Sequence, residues 1–211
     1  MPERMYAKDL WDRKFTSISG DLARERNWSA IRAHPALVRW DRPECKQAWY
    51  VELNPNARVP TIEDNGFVLW ESAAINLYLA EKYGSPLFPV TPEAKGRMLQ
   101  WAFYIANDVE PPLITVLRNR VVFPPEQRDP TLADEAERTL HLKFCILDQQ
   151  LQRSRFFAGE TWGMADLMVA CVLYILTRLN IDMSAYPKLA AWLAESIERP
   201  AAREARKLRE S

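Results

Sequence analysis

The chain has little of what several common chemistries require. Its 211 residues include two histidines, His34 and His141, so a His-rich metal site is excluded and a Ser-His-Asp triad has little to draw on. The three cysteines, Cys45, Cys145 and Cys171, are odd in number, far apart, and without C-x-x-C or Cys/His ligand spacing. They read as reduced thiols. Cys145 and Cys171 fall in helical, apolar contexts, which predicts that both are buried. No charge of one sign dominates, since Lys plus Arg equals Asp plus Glu at 28 each. No global field therefore draws the protein to nucleic acid or to an anionic membrane. No apolar run approaches the ~18–20 residues of a membrane span, and Met1-Pro2-Glu3-Arg4 leads into charged sequence rather than an apolar secretory core. A cytoplasmic location is the expectation.

What is present changes character near residue 85. Before it come short segments with turn punctuation. "ALVRW" (36–40), "VPTIED" (59–64) and "FVLW" (67–70) suit strands, and Asp64-Asn65-Gly66 between the last two predicts a hairpin. From Ser72 the run "SAAINLYLAEKYG" predicts a helix opened by a hydroxyl residue and closed by Gly84. "SPLFPVTP" follows as a linker, because its prolines forbid a continuing helix.

Beyond Thr91 the pattern is helical. Pro111-Pro112 must kink or break the first long helix, because proline lacks a backbone donor and clashes with the preceding turn. Asp129-Pro130-Thr131 starts the next, with Thr131 and Asp134 as a capping box. Its buried stripe is predicted as Ala133, Ala136, Leu140, Phe144, Leu147 and Leu151. "GMADLMVACVLYILTRL" is apolar on nearly every side and belongs at the centre of a helical bundle, with "YPKLAAWLAESIE" and "RPAAREARKLRE" completing the set. The expected organisation is an α/β domain over residues 1–84, a linker over 85–92 and an all-α domain over 93–211.

The stretches "ELNPNARVPTIEDNGFVLWESAAINLYLAEKYG", "FFAGETWGMADLMVACVLY" and "YPKLAAWLAESIERPA", in this order and spacing, closely resemble the cytosolic glutathione S-transferases, above all their bacterial members. The similarity spans about residues 48–205. It implies a thioredoxin-like α/β N-terminal domain joined to an all-α C-terminal domain, usually in a homodimer. Glutathione would be held by the first domain and a small apolar, electrophilic substrate would lie beside it, with no metal. Asp166 matches the family's helix-capping aspartate. Relatives carry Ser or Thr three residues earlier, where this chain has Gly163, and a weaker cap with the helix intact is expected. Trp101, Tyr104, Asn107 and Asp108 lie on the helix that lines the cleft and dimer seam in relatives; their individual roles are open, and core packing is at least as strong an expectation for Trp101.

Physical chemistry gives these residues independent meaning. The resemblance makes Val59-Pro60 a candidate for the minority of X-Pro bonds that are cis. Such a bond would leave the Val59 N–H and C=O outside the sheet ladder, able to pair with an extended peptide as with another strand. The alternative is a proline on an edge strand with no ligand role. Glu71-Ser72 ends a strand and opens a helix, where orphan N–H groups and the positive end of the dipole favour a carboxylate. The Ser72 hydroxyl adds a donor, and Glu71 can accept from an ammonium. A zwitterionic γ-glutamyl head fits this corner, and plain capping by Ser72 is compatible with it.

The first 45 residues match the family poorly. The chemistry wanted there is a hydroxyl donating to the glutathione sulfur, since only the thiolate attacks electrophiles or disulfides. Counting back from Val59-Pro60 by the separation usual in relatives reaches Thr16-Ser17-Ile18-Ser19, with Asp21–Ala33 as the helix that follows. Ser19 is the first candidate for the catalytic hydroxyl, Ser17 the second and Tyr6 a remote third. The alternative for both serines is a turn or cap role. The resulting expectation is a glutathione transferase, with glutathione-dependent reductase or peroxidase activity open. The competing expectation is a noncatalytic binding or scaffold protein of the same fold.

Overall fold

Asn65 and Gly66 both take positive φ, 51° and 85°, which is the requirement of a tight two-residue hairpin turn. In the computed structural model, which describes residues 31–33 and 43–210, that turn joins two of the three strands: β1 (Ile31–Ala33), β2 (Thr61–Asp64) and β3 (Phe67–Trp70). Thr61 stands opposite Trp70 and Asp64 opposite Phe67. The other edge of β2 pairs antiparallel with β1, Ile31 opposite Asp64. The helix expected over Asp21–Ala33 is thereby corrected at its end. Ile31–Ala33 are strand, because ladder bonds to β2 outweigh a weak local helix preference. The strand expected at 36–40 lies outside the described residues.

A short helix α1 (Ala48–Leu53) precedes β2, and α2 (Ser72–Lys82) follows β3. Gly84, at φ 65°, ends α2. Its N–H donates to the Glu81 carbonyl and the Ser85 N–H reaches back to Ala80, at 3.2 and 2.8 Å, so the last carbonyls are satisfied.

By its contacts the chain divides into two compact units. One holds the described residues up to Pro86 together with those from Arg199, and the other holds Leu87–Glu198. The second unit is helical among its described residues: α3 (Pro92–Tyr104), α4 (Glu110–Leu117), α5 (Pro130–Arg153), α6 (Met164–Leu173) and α7 (Pro187–Ile197). A last helix, α8 (Pro200–Glu210), is grouped with the first unit. Between α3 and α4 the backbone widens into a π-helical segment, Ile105–Val109. This is where Pro111 and Pro112, in the first turn of α4, would otherwise collide with carbonyls four residues back.

The predicted stripe of α5 is buried throughout, with Leu140, Phe144 and Leu147 fully so; each such side chain contributes about 1.5–3 kcal/mol of burial. Asp148 on the same face accepts from the Leu189 N–H at 2.9 Å, so a side chain of α5 caps the start of α7. Two expectations are corrected here. The N-cap of α5 is Asp129, whose carboxylate accepts from the Leu132 N–H at 3.0 Å. Thr131 lies past Pro130 within the first turn, and Asp134 instead pairs with Arg120 at 2.8 Å. Cys145 and Cys171 are exposed and Cys45 is buried. Cys145 follows Phe144 by one residue, 100° around the helix from the stripe, and Cys171 occupies the outward side of α6, whose residues 164–170 and 173 are buried. Among the described residues no helix is long and apolar enough to cross a membrane.

Candidate functional site

The hairpin register brings two separated stretches together. Thr61 faces Trp70 at the open end of β2 and β3, so Val59-Pro60, just before β2, lies beside Glu71-Ser72, just after β3. Val59-Pro60 is cis, and both residues are half-buried. The ladder begins at Thr61, and among the described residues none bonds to the Val59 N–H or C=O.

On the opposite side of this corner, Glu71 sits at φ 75° and ψ 116°, a region that non-glycine residues avoid at a cost of about 1–3 kcal/mol. The conformation turns the chain from strand into α2. Its first helical bond runs from the Ile75 N–H to the Glu71 carbonyl at 2.9 Å, and the Glu71 side chain does not itself cap the helix start. The first-turn N–H groups of Ser72, Ala73 and Ala74 therefore face the positive end of the dipole without an intrahelical acceptor. Glu71 and Ser72 are exposed.

Sequence reasoning missed the groups that hold this corner. Tyr50, Asn54 and Thr61 are exposed by only 1%, 2% and 1%. The Tyr50 hydroxyl donates to the Arg58 carbonyl at 2.7 Å and lies 2.9 Å from Thr61 Oγ1. Asn54 Nδ2 donates to the same carbonyl at 2.7 Å and to Thr61 Oγ1 at 3.0 Å, while Asn54 Oδ1 accepts from the Asn56 N–H at 3.0 Å. Burial pushes the Tyr50 phenol above its usual range, which keeps it a donor. The polar Asn54 inside "ELNPNARVP" was the available signal, since a buried asparagine must satisfy several bonds.

A second anchor lies at the far end of the hairpin. Buried Asp64 accepts from Lys82 Nζ at 2.7 Å, from the Tyr78 hydroxyl at 2.8 Å and from the Tyr83 hydroxyl at 3.1 Å. Burial alone would raise its pKa, but the bonds from Lys82, Tyr78 and Tyr83 outweigh it, and the carboxyl titrates below the usual range. The same contact holds Lys82 protonated well beyond the usual lysine range. The start of α2 is thus placed by an ion pair at its end.

Ser17, Ser19 and Tyr6 lie outside the described residues. Trp101 is core, its ring centroid 5.7 Å from Tyr104 and 4.9 Å from Phe157. Asp108 pairs with Lys143 at 2.7 Å, and Asn107 is exposed. Burial, then the charge of Asp108, pushes the Tyr104 phenol up to about 12. Among the described residues no group of three His, Cys, Asp or Glu side chains is arranged to hold a metal ion.

The family models described as the N-terminal and C-terminal domains of glutathione S-transferase match residues 26–82 and 112–200. The chain is 30% identical over 157 residues to glutathione S-transferase GstB of Escherichia coli strain K12, covering 73% of this chain and 76% of that one. The chain belongs to the glutathione S-transferase family. Its fold is that family's thioredoxin-like N-terminal domain with a helical C-terminal domain. The crystal structure of glutathione transferase URE2P5 from Phanerochaete chrysosporium superposes with a TM-score of 0.74 at 29% identity, covering 79% of this chain and 78% of that one. A second crystal structure of Ure2p5, crystallised with 1-(S-glutathionyl)-2,4-dinitrobenzene, gives a TM-score of 0.71 at 29% identity over 77% and 79% of the two chains.

Within this family member the matched C-terminal domain is organised around Asp166, whose side chain is fully buried. One oxygen accepts from the Phe157 N–H at 3.1 Å and from Trp192 Nε1 at 3.0 Å. The other accepts from the Gly163 N–H at 3.1 Å. Burial raises its pKa despite these donors. The Met164 N–H at the start of α6 donates to the Leu87 carbonyl at 3.1 Å. A Cβ at Gly163 would stand 3.4 Å from that oxygen, in ordinary contact, so the Leu87 carbonyl can take over part of the capping whether or not this position is glycine.

Proposed function

We propose that the protein is a glutathione transferase that binds glutathione along Val59 and at Glu71-Ser72 in the first domain, carried by residues 1–84. The observation that carries this reading is the juxtaposition, through the β2–β3 register, of a Val59 backbone outside the ladder with a helix start that its N-cap residue Glu71 leaves uncapped. The Val59 N–H and C=O pair with the extended tripeptide as a further strand. The γ-glutamyl carboxylate accepts from the N–H groups and hydroxyl at the start of α2, and Glu71 accepts from its ammonium. Ser19, with Ser17 as second choice, donates to the thiolate sulfur. The thiolate forms a bond to a small apolar electrophile, displacing its leaving group, or attacks a disulfide. The working form is a cytoplasmic homodimer, without a metal. The likeness to GstB and to a transferase crystallised with a glutathionyl dinitrobenzene supports this reading.

The test is retention on immobilised glutathione together with turnover of chlorodinitrobenzene. Retention and turnover are expected, with turnover lost in Ser19→Ala or in Ser17→Ala. Retention without turnover, in a protein indifferent to both substitutions, would leave a binding protein in place of an enzyme. Absence of both would remove the glutathione site.

A further inference from the structure

We infer that Tyr50, Asn54 and Thr61 are positioning residues for the ligand-facing amide, setting the direction of the Val59 N–H from behind. This rests on the glutathione reading of the corner. Proton counting closes the network in one way. The Arg58 carbonyl can only accept, so the single Tyr50 hydroxyl proton goes to it. Thr61 must then donate its own proton to the Tyr50 oxygen, across 2.9 Å. The two protons of Asn54 Nδ2 go to the Arg58 carbonyl and to Thr61 Oγ1. Every donor of the three side chains is used, and all three are buried, where a lost partner is costly.

The consequence follows from peptide geometry. The Arg58–Val59 bond is trans, and in a planar trans peptide the C=O and N–H point in opposite directions. Two bonds of 2.7 Å pull the Arg58 carbonyl toward the buried side chains, so the Val59 N–H is aimed away from them. Thr61 fixes the other end of the same loop as the first residue of β2. The loop is held at both ends by side chains that leave the Val59 amide unused, and a preorganised donor is worth more to a ligand than a mobile one.

The experiment is calorimetric titration of glutathione into full-length Tyr50→Phe, Thr61→Val and Thr61→Ser proteins, with Leu140→Val as a destabilised control in the other unit. Tyr50→Phe and Thr61→Val are expected to weaken the Kd about tenfold, the effect of one lost hydrogen bond. Thr61→Ser keeps the hydroxyl and is expected to bind like the parent, as is Leu140→Val. Tyr50→Phe and Thr61→Val proteins that melt earlier yet bind with the parent Kd would make the network purely structural and overturn the inference. A parent protein that takes up no glutathione overturns the reading of the corner, and this inference with it.

Discussion

Lys82 Nζ lies 2.7 Å from Asp64 Oδ2, joining the last residue of β2 to the last residue of α2. The carboxylate is fully buried while the lysine is 38% exposed, so the charge that needs a partner is the aspartate. Its two tyrosine donors, Tyr78 and Tyr83, also come from α2 and its end.

Because the Asp64 pKa is depressed in the folded state, its contribution is complete above the ordinary carboxylate range and is lost as pH falls through the lower folded value. Acid titration of the melting midpoint should show a fall below about pH 4 that is smaller in Asp64→Asn. At pH 7 the same variant should melt on the order of 5 °C lower. Equal acid sensitivity in parent and variant would assign the fall to other groups.

Glu71 is held at φ 75°, where glycine carries no side-chain penalty. Glu71→Gly should therefore keep the parent's unfolding free energy or raise it by up to ~1 kcal/mol, while retention on immobilised glutathione falls. Urea unfolding and a binding assay on one preparation separate the two effects. A stable variant that is still fully retained counts against a ligand role for the carboxylate.

Thiol accessibility distinguishes the three cysteines. Cys145 and Cys171 are exposed and Cys45 is packed against Tyr50 and Val59. A thiol reagent should label two sites in the native protein and the third only on unfolding. Native labelling of Cys45 would mean that the loop behind Val59 opens.

The capping of α6 should be unequal between its two residues. Asp166→Ala leaves three donors unsatisfied, two of them in buried bonds, and is expected to lower stability by about 4 kcal/mol. Gly163→Ser should change it by less than about 0.5 kcal/mol, since glycine is nearly as good an N-cap and the Leu87 carbonyl already serves the start of the helix. Thermal or urea unfolding of both variants decides the order.

Much of the fold was legible because local chemistry dictates it. Asn65-Gly66 can be little but a turn, Gly84 ends a helix that its neighbours continue to, and the α5 stripe repeats at three and four residues. The corner proposed to hold glutathione was legible as two separate motifs. Less legible were choices that depend on partners far along the chain. Ile31–Ala33 became strand because β2 offered a ladder. Asp129 capped α5 in place of Thr131 because Pro130 fixed the first turn. Cys145 and Cys171 turned outward because the buried faces of their helices were already occupied by other residues, which left them the remaining side.

The sequence by itself determined the family, the two helix-and-sheet regimes and the pairing of Val59-Pro60 with Glu71-Ser72 as candidate residues, because turns, caps and periodicity act within a few residues. Only the tertiary structure decided that these two motifs meet, through the register of β2 and β3. It also showed that Tyr50, Asn54 and Thr61 close a buried network behind them, since the bonds of a buried polar side chain depend on which distant groups packing brings within about 3 Å.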